Sequence, residues 1–162
     1  MPQSLSSLLV HIVFSTKNRT PWISPDLRKE LYPYLGAIVR NAGGVPIQIG
    51  GIDDHVHALI VLPRTMSVAQ MVEKVKTASS KWMKTKGVPK FAWQGGYGAF
   101  SIGRSERDAV VAYIRGQEAH HKKRSFQDEY RELLKETGVE YDERYVWDRS
   151  RAYSAQNRNA GR

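Results

Sequence analysis

The sequence predicts an α+β protein with a ferredoxin-like (RRM-like) split βαβ fold: an antiparallel sheet, helices on one face, and an additional C-terminal helix. Segments rich in β-branched and apolar residues alternate with capped amphipathic segments, in the order strand, helix, strand, strand, helix, strand, helix. Only a short turn separates the two middle strands, which favours an antiparallel hairpin. A βαββαβ order with helices after it is typical of this fold class.

The first 62 residues are predicted to form three strands and one helix. Ser24 is placed to cap the helix and Pro25 occupies its first position, where the missing N–H costs nothing. Gly43 and Gly44 end the helix because glycine accepts the left-handed conformation that closes a last turn. The predicted bounds are strands at 7–17, 45–51 and 55–62, and a helix from 25 to about 40.

The remaining elements are predicted by the same signals. Ser67 and Ser105 are candidate caps, and Gly87 with Pro89 ends the helix that follows Ser67. The predicted bounds are a helix at about 68–85, a glycine-loosened strand at 93–103, a helix from 105 to about 123, and a helix at 125–136. We expect one domain over 1–146 and a basic, poorly ordered tail over 147–162.

Composition narrows the class of protein. The 162 residues include no cysteine, which excludes a disulfide framework and a thiolate metal site. No apolar run reaches membrane-spanning length, and the N-terminus lacks the basic region of a signal peptide. We therefore expect a cytoplasmic protein, which would be nucleoid-associated if it binds DNA.

The charge indicates a polyanionic partner. The net charge is +9 and the isoelectric point is about 9.9. Residues 64–90 hold seven Lys or Arg against one acidic residue, and 149–162 hold four Arg with no acidic residue. Either segment alone could be a solvated face or a soluble tail, but together they favour a phosphate-facing surface. The candidate DNA contacts are Lys81, Lys84, Lys86 and Arg104.

Two histidines interrupt an apolar strand in GIDDHVHALIVLP (51–63). Side chains alternate along a strand, so His55 and His57 share a face and can converge on one cation. The same pair could instead be two hydrogen-bonded histidines on a half-wet sheet face. His11 stands alone in the first strand, where a structural role is expected.

The helix predicted after Ser105 offers a nucleophile and a further ligand. At 3.6 residues per turn, Tyr113 and Gln117 lie about 6 Å apart along one stripe, off the apolar seam. An amide oxygen is an acceptable ligand for a hard divalent cation. A core-edge tyrosine and a solvated glutamine remain the alternative for this helix alone. The stripe also carries Glu106, His120 and Arg124.

These motifs together resemble the single-tyrosine HUH transposases of the smallest bacterial insertion sequences. The resemblance rests on His55-Val56-His57 in a strand and on a helix with Tyr-x-x-x-Gln, here YIRGQ (113–117). HIVFSTKNR (11–19) and WQGGYGAFSI (93–102) are supporting matches. The likeness covers about residues 8–125, and the arginine-rich end has no counterpart in it.

The resemblance implies a metal-dependent single-strand DNA endonuclease and strand transferase. His55, His57 and Gln117 would bind one divalent cation, Mg²⁺ or Mn²⁺, and Tyr113 would form a 5′-phosphotyrosine. The implied substrate is single-stranded DNA with hairpins at the ends of the element. The implied assembly is a homodimer whose sites combine the histidine pair of one chain with the tyrosine helix of the other.

Three alternatives stay open at the level of sequence. A non-catalytic nucleic-acid-binding module would need neither metal nor Tyr113. A metal-dependent phosphodiesterase acting through water would cut DNA without a covalent adduct. A domesticated relative would use the same chemistry on repeats scattered in its host genome, and hairpins flanking the gene would distinguish a mobile element from it.

Overall fold

The computed structural model describes residues 2–121 and 124–147. Within them the βαββαβ order is followed by three further helices. The elements are β1 Leu9–Ser15, α1 Pro25–Asn41, β2 Val45–Gly51, β3 His55–Val61, α2 Val68–Thr85, β4 Gly98–Ser101, α3 Arg107–Arg115, α4 Gln117–His120 and α5 Phe126–Glu136. Apart from Trp147, the predicted basic tail lies outside the described residues.

The four strands form one sheet in the order β2-β3-β1-β4, with every neighbouring pair antiparallel. This order confirms the predicted ferredoxin-like fold and the hairpin of β2 and β3. In the register, His57 lies opposite Val13 of β1 and opposite Gly50 of β2. The histidine strand is therefore central in the sheet.

Alternation along the strands separates two cores. On one face, Val56, Ala58 and Ile60 of β3 pack in a large apolar cluster with α1 and α2. His55, His57 and Leu59 turn to the opposite face. There a smaller buried cluster joins α5 to β1 and β4: Val13, Phe100, Phe126 and Leu134.

The helix starts follow the sequence signals. Ser24 accepts a hydrogen bond at its side chain from the Leu27 N–H, at 3.3 Å. Ser67 and Gln70 form a reciprocal capping box at the start of α2. The predicted caps at Ser24 and Ser67 are therefore confirmed.

Two predicted elements differ in the structure. The strand predicted at 93–103 is regular only over Gly98–Ser101, with a single bridge from Trp93 to Thr16 before it. Gly96, at φ 120°, takes the intervening chain out of extended geometry.

No helix in the described part of the chain is long and apolar enough to cross a membrane.

The helix predicted from 105 to about 123 is also broken. A 3-10 turn, Arg104–Glu106, precedes α3, and Gly116 separates α3 from α4. Ser105 lies inside the 3-10 turn and is not a cap; instead the Glu106 carboxylate accepts from the Gly103 N–H at 3.2 Å. Glycine is a poor helix former, so the helix is interrupted at Gly116, where tertiary packing favours a change of direction.

Candidate metal and tyrosine site

The histidine pair forms the buried floor of the site. His55 and His57 have no exposed surface, and their rings lie 5.1 Å apart and nearly perpendicular. His55 Nδ1 lies 2.7 Å from Asp54 Oδ1, which fixes the ring and leaves Nε2 pointing towards α4. Both imidazoles lie on the face opposite α1 and α2, and the prediction that they share one face of the strand is confirmed.

His11 supports His57 from the neighbouring strand. Its Nε2 lies 2.8 Å from His57 Nδ1, and the two rings stack. Burial, and to a lesser extent the nearby His57, lowers the pKa of His11 to about 3. Burial also lowers the pKa of His57 to about 4, against a hydrogen bond to Glu129 that raises it. Both rings are therefore neutral at neutral pH, the form in which imidazole binds a metal.

Tyr113 reaches the histidines because α3 lies very close to β2. A Cβ atom at Gly50 would be 2.7 Å from the Ile114 carbonyl oxygen, so glycine permits this approach. The Tyr113 ring lies edge-on to His57, 5.6 Å between centroids. Burial of the half-buried Tyr113 raises the pKa of its hydroxyl, and a hydrogen bond with Glu129 raises it further.

Gln117 is brought to the same point by the break at Gly116. It is buried as the first residue of α4, with Oε1 3.0 Å from His55 Nε2. The predicted grouping of Tyr113 and Gln117 with the histidine pair therefore exists in the structure, although not on one continuous helix. His120 also lies in this group, its ring 5.3 Å from that of Tyr113.

Two functional candidates were missed from the sequence. His121 places Nε2 2.9 Å from Gln117 Oε1, and Glu129 of α5 places Oε1 2.7 Å from His57 Nε2. Glu129 Oε2 lies 2.9 Å from His121 Nε2. The adjacent histidines at positions 120 and 121 were a weak sequence signal for His121. Nothing in the sequence marks Glu129, because its position depends on how α5 packs.

Glu129 is held in its ionised form. Burial opposes ionisation, but hydrogen bonds from His121 and His57 outweigh it and hold the pKa of Glu129 well below its usual range. The same carboxylate raises the pKa of His121, against the burial of that ring. The site therefore contains a buried negative charge among imidazoles.

This donor set fits a divalent cation. One ligand atom from each of four residues lies within 4.8 Å of the others: His55, His57, His121 and Glu129. Nitrogen and oxygen ligands lie about 2.0–2.2 Å from a transition-metal ion such as Zn²⁺, so opposite ligands are separated by about 4.2 Å. Only small shifts would bring these atoms to ligand distance.

A cavity of about 320 Å³ opens beside Tyr113, between β4, α3 and α5. Glu106, Glu132 and Glu136 line it, with Arg124 as the basic residue among them, and Arg124 is paired with Glu132. This acidic lining disfavours a DNA phosphate inside the cavity itself.

The predicted DNA contacts lie apart from the histidines. Lys81 and Lys84 belong to α2, which covers the other face of the sheet. Lys86 follows α2 and pairs with Glu30 at 3.3 Å. Arg104 stands in the 3-10 turn before α3. The structure thus separates the three lysines from the candidate site by the thickness of the sheet.

Comparison with known proteins bears on the family and the fold. The model of the family described as "Transposase IS200 like" matches residues 4–117. A candidate transposase from Deinococcus radiodurans R1 superposes with a TM-score of 0.59 at 20% identity, over 72% of this chain and 98% of that chain. A REP-associated tyrosine transposase bound to a REP hairpin superposes with a TM-score of 0.56 at 15% identity, over 75% of this chain and 72% of that one.

No protein with a curated description matches the chain. At these identities the two structures establish the shared fold, whereas the family match spans more than half of the chain and ends at Gln117. It contains the histidine strand, Tyr113 and Gln117. The chain therefore belongs to the family of IS200-like transposases.

Proposed function

We propose that the protein is a metal-dependent single-strand DNA endonuclease and strand transferase with Tyr113 as its nucleophile. One observation carries the proposal: Tyr113 lies edge-on to His57, 5.6 Å between rings, beside a buried cluster that fits a cation. A nucleophile next to a metal site is the arrangement needed to attack a phosphodiester. The family match supports DNA transposition as the biological role.

His55, His57 and Gln117 would hold the cation, Mg²⁺ or Mn²⁺. When bound, the ion would stabilise the negative charge that builds on the scissile phosphate. The protein prepares this site in advance: Asp54 and His11 fix the two imidazoles, and both rings are buried. Fixed ligands reduce the reorganisation needed when DNA binds.

Tyr113 would carry the covalent step. Its hydroxyl oxygen forms a bond to phosphorus, the bond from phosphorus to the 3′ oxygen breaks, and the phenolic proton ends on the released 3′-hydroxyl. The product is a 5′-phosphotyrosine that keeps the energy of the diester. Attack by another 3′-hydroxyl reverses the step and joins strands without a nucleotide cofactor.

The proposed substrate is single-stranded DNA with a hairpin. The net charge of +9 supports a nucleic-acid partner, and a fold neighbour is described as bound to a REP hairpin. Lys81, Lys84, Lys86 and Arg104 stay as proposed DNA contacts. If the three lysines bind DNA, the strand must pass around the edge of the sheet to reach Tyr113.

Assembly as a homodimer with composite sites also stays a proposal. In a single chain the Tyr113 ring lies 5.6 Å from that of its own His57, so a composite site would require α3 to leave this position. An exchange of α3 between chains would require the close contact of Ile114 with Gly50 to form across the dimer. A heterodimer of His57→Ala and Tyr113→Phe chains distinguishes the two: cleavage returns only if the sites are composite.

The direct test is covalent trapping. The protein is incubated with 5′- and 3′-labelled single-stranded hairpin DNA from the flanks of its gene and with Mn²⁺, then run on a denaturing gel. We expect a protein–DNA adduct that EDTA prevents, that peptide mapping assigns to Tyr113, and that Tyr113→Phe abolishes while the fold is retained. Cleavage that survives Tyr113→Phe without an adduct would show a water-dependent phosphodiesterase instead.

A further inference from the structure

Two imidazoles of the cluster have their second ring nitrogen bound to groups that only accept hydrogen bonds. His55 Nδ1 faces the Asp54 carboxylate at 2.7 Å, and His121 Nδ1 faces the Arg124 carbonyl oxygen at 2.8 Å. Each Nδ1 must therefore donate, which leaves Nε2 of the neutral ring with a lone pair. This is the usual arrangement of histidines that bind a metal through Nε2.

The two lone pairs point at other acceptors. His121 Nε2 lies 2.9 Å from Glu129 Oε2 and 2.9 Å from Gln117 Oε1, and His55 Nε2 lies 3.0 Å from the same Gln117 oxygen. Rotating the Gln117 amide would place its oxygen against Glu129 Oε2, since its nitrogen is now 3.3 Å from that atom. The unfavourable contact of the His121 Nε2 lone pair with Glu129 Oε2 would remain. With His121 neutral, the cluster therefore has more acceptors than donors. Either a second proton on His121 or a cation bound between these atoms would supply the missing positive charge, and the cation would satisfy both lone pairs and the Glu129 carboxylate together.

From this geometry we infer that His121 and Glu129 are ligands of the same cation as the histidine pair. The inference rests on the proposed metal-dependent function and extends its ligand set. The side chains of both residues are almost fully buried, 3% and 2% exposed, and are aimed at the centre of the cluster. A buried carboxylate without a cationic partner would be costly, and a divalent ion supplies one.

The two added ligands come from the part of the chain beyond the family match. That match ends at Gln117, whereas Glu129 belongs to α5. Apart from Glu129, α5 is held to the sheet by a small apolar cluster with Phe126 and Leu134. The cation would therefore join α5 to β3, and metal binding would stabilise the docked position of this helix.

The added ligands also change which ion the site prefers. Mg²⁺ favours an all-oxygen octahedral shell, whereas imidazoles suit transition metals. Three imidazoles with one carboxylate should therefore bind Mn²⁺ more tightly than Mg²⁺. A site of two histidines and one amide oxygen would discriminate less between Mn²⁺ and Mg²⁺.

The experiment measures binding of Mn²⁺ alone to the full-length protein, without DNA, by titration calorimetry and by the loss of the free Mn²⁺ electron paramagnetic resonance signal. Glu129→Gln is compared with Asp128→Asn, a matched control that removes an exposed carboxylate of the same helix outside the cavity beside Tyr113. Loss of an outer-sphere partner costs about 10- to 100-fold in metal affinity, so loss of a charged ligand should cost at least that. We expect this loss in Glu129→Gln and His121→Ala, and unchanged affinity in Asp128→Asn.

Hydrogen exchange of the wild-type protein provides a second measurement that does not depend on a variant folding. Adding Mn²⁺ should slow exchange of the backbone amides of α5, and unchanged exchange there would overturn the inference. Unchanged Mn²⁺ affinity in Glu129→Gln, with affinity lost in His57→Ala, would overturn it too while leaving the proposed function intact. A wild-type protein that binds no Mn²⁺ would overturn both.

Discussion

The contact of α3 with β2 at Gly50 offers a sharp test of how the site is assembled. Gly50 lies opposite His57 in the sheet register, and the methyl group of an alanine there would point at Ile114, the neighbour of Tyr113. Gly50→Ala should therefore displace the tyrosine helix from the histidines without altering any residue of the site.

The size of the effect follows from the distances. The new Cβ would lie 2.7 Å from the Ile114 carbonyl oxygen and 2.9 Å from its Cγ2, whereas ordinary contact begins at 3.4 Å. Backbone cannot rotate away as a side chain can, so α3 must retreat by about 0.7 Å. A misplacement of about 1 Å can cost about 100-fold in rate, so we expect adduct formation to slow by about 10- to 100-fold. Overpacking should also cost about 1–3 kcal/mol of unfolding free energy.

The assay is single-turnover formation of the covalent adduct on hairpin DNA with saturating Mn²⁺, together with urea unfolding. Gly36→Ala, within α1, is the matched control. Its added Cβ would lie 3.6 Å from the Pro46 side chain, which is ordinary van der Waals contact. That variant should keep the wild-type rate. A wild-type rate and unchanged stability in Gly50→Ala would refute the close docking of α3 on β2.

The remaining predictions concern metal, α5 and DNA. His57→Ala should abolish cleavage but keep affinity for the DNA hairpin, because affinity comes mainly from contacts to phosphate. A gel shift at constant salt measures this affinity, and its loss in a folded variant would contradict the assignment of His57 to the metal site. Leu134→Ala should lower the unfolding free energy by about 2–5 kcal/mol in urea titration, since Leu134 is buried in the cluster under α5; a negligible loss would mean that α5 is not docked. Replacing Lys81, Lys84 and Lys86 by Gln should weaken binding of single-stranded DNA. The slope of the logarithm of the binding constant against the logarithm of salt concentration should become shallower by about 0.7 per lost phosphate contact. An unchanged slope would exclude the three lysines from the interface.

The sequence by itself determined the sheet and the position of the histidine pair. Apolar residues at alternate positions fix which face of a strand is buried, and a shift of one residue would place Val56 where His57 stands. The caps at Ser24 and Ser67 set the start of α1 and α2 through local hydrogen bonds. Such signals act within a few residues, so they can be read from the chain alone.

Tertiary structure decided the rest of the site. Gly116 is permissive for helix and for a break, and packing of Gln117 against His55 favours the break. Glu129 reads as an ordinary acidic residue of an amphipathic helix, and only the apolar contacts of α5 with β1 and β4 carry it to His57, 72 residues away in sequence. Local propensity fixes an element and its faces, but the partner of a face is set by the free energy of packing over the whole chain, which no short pattern contains.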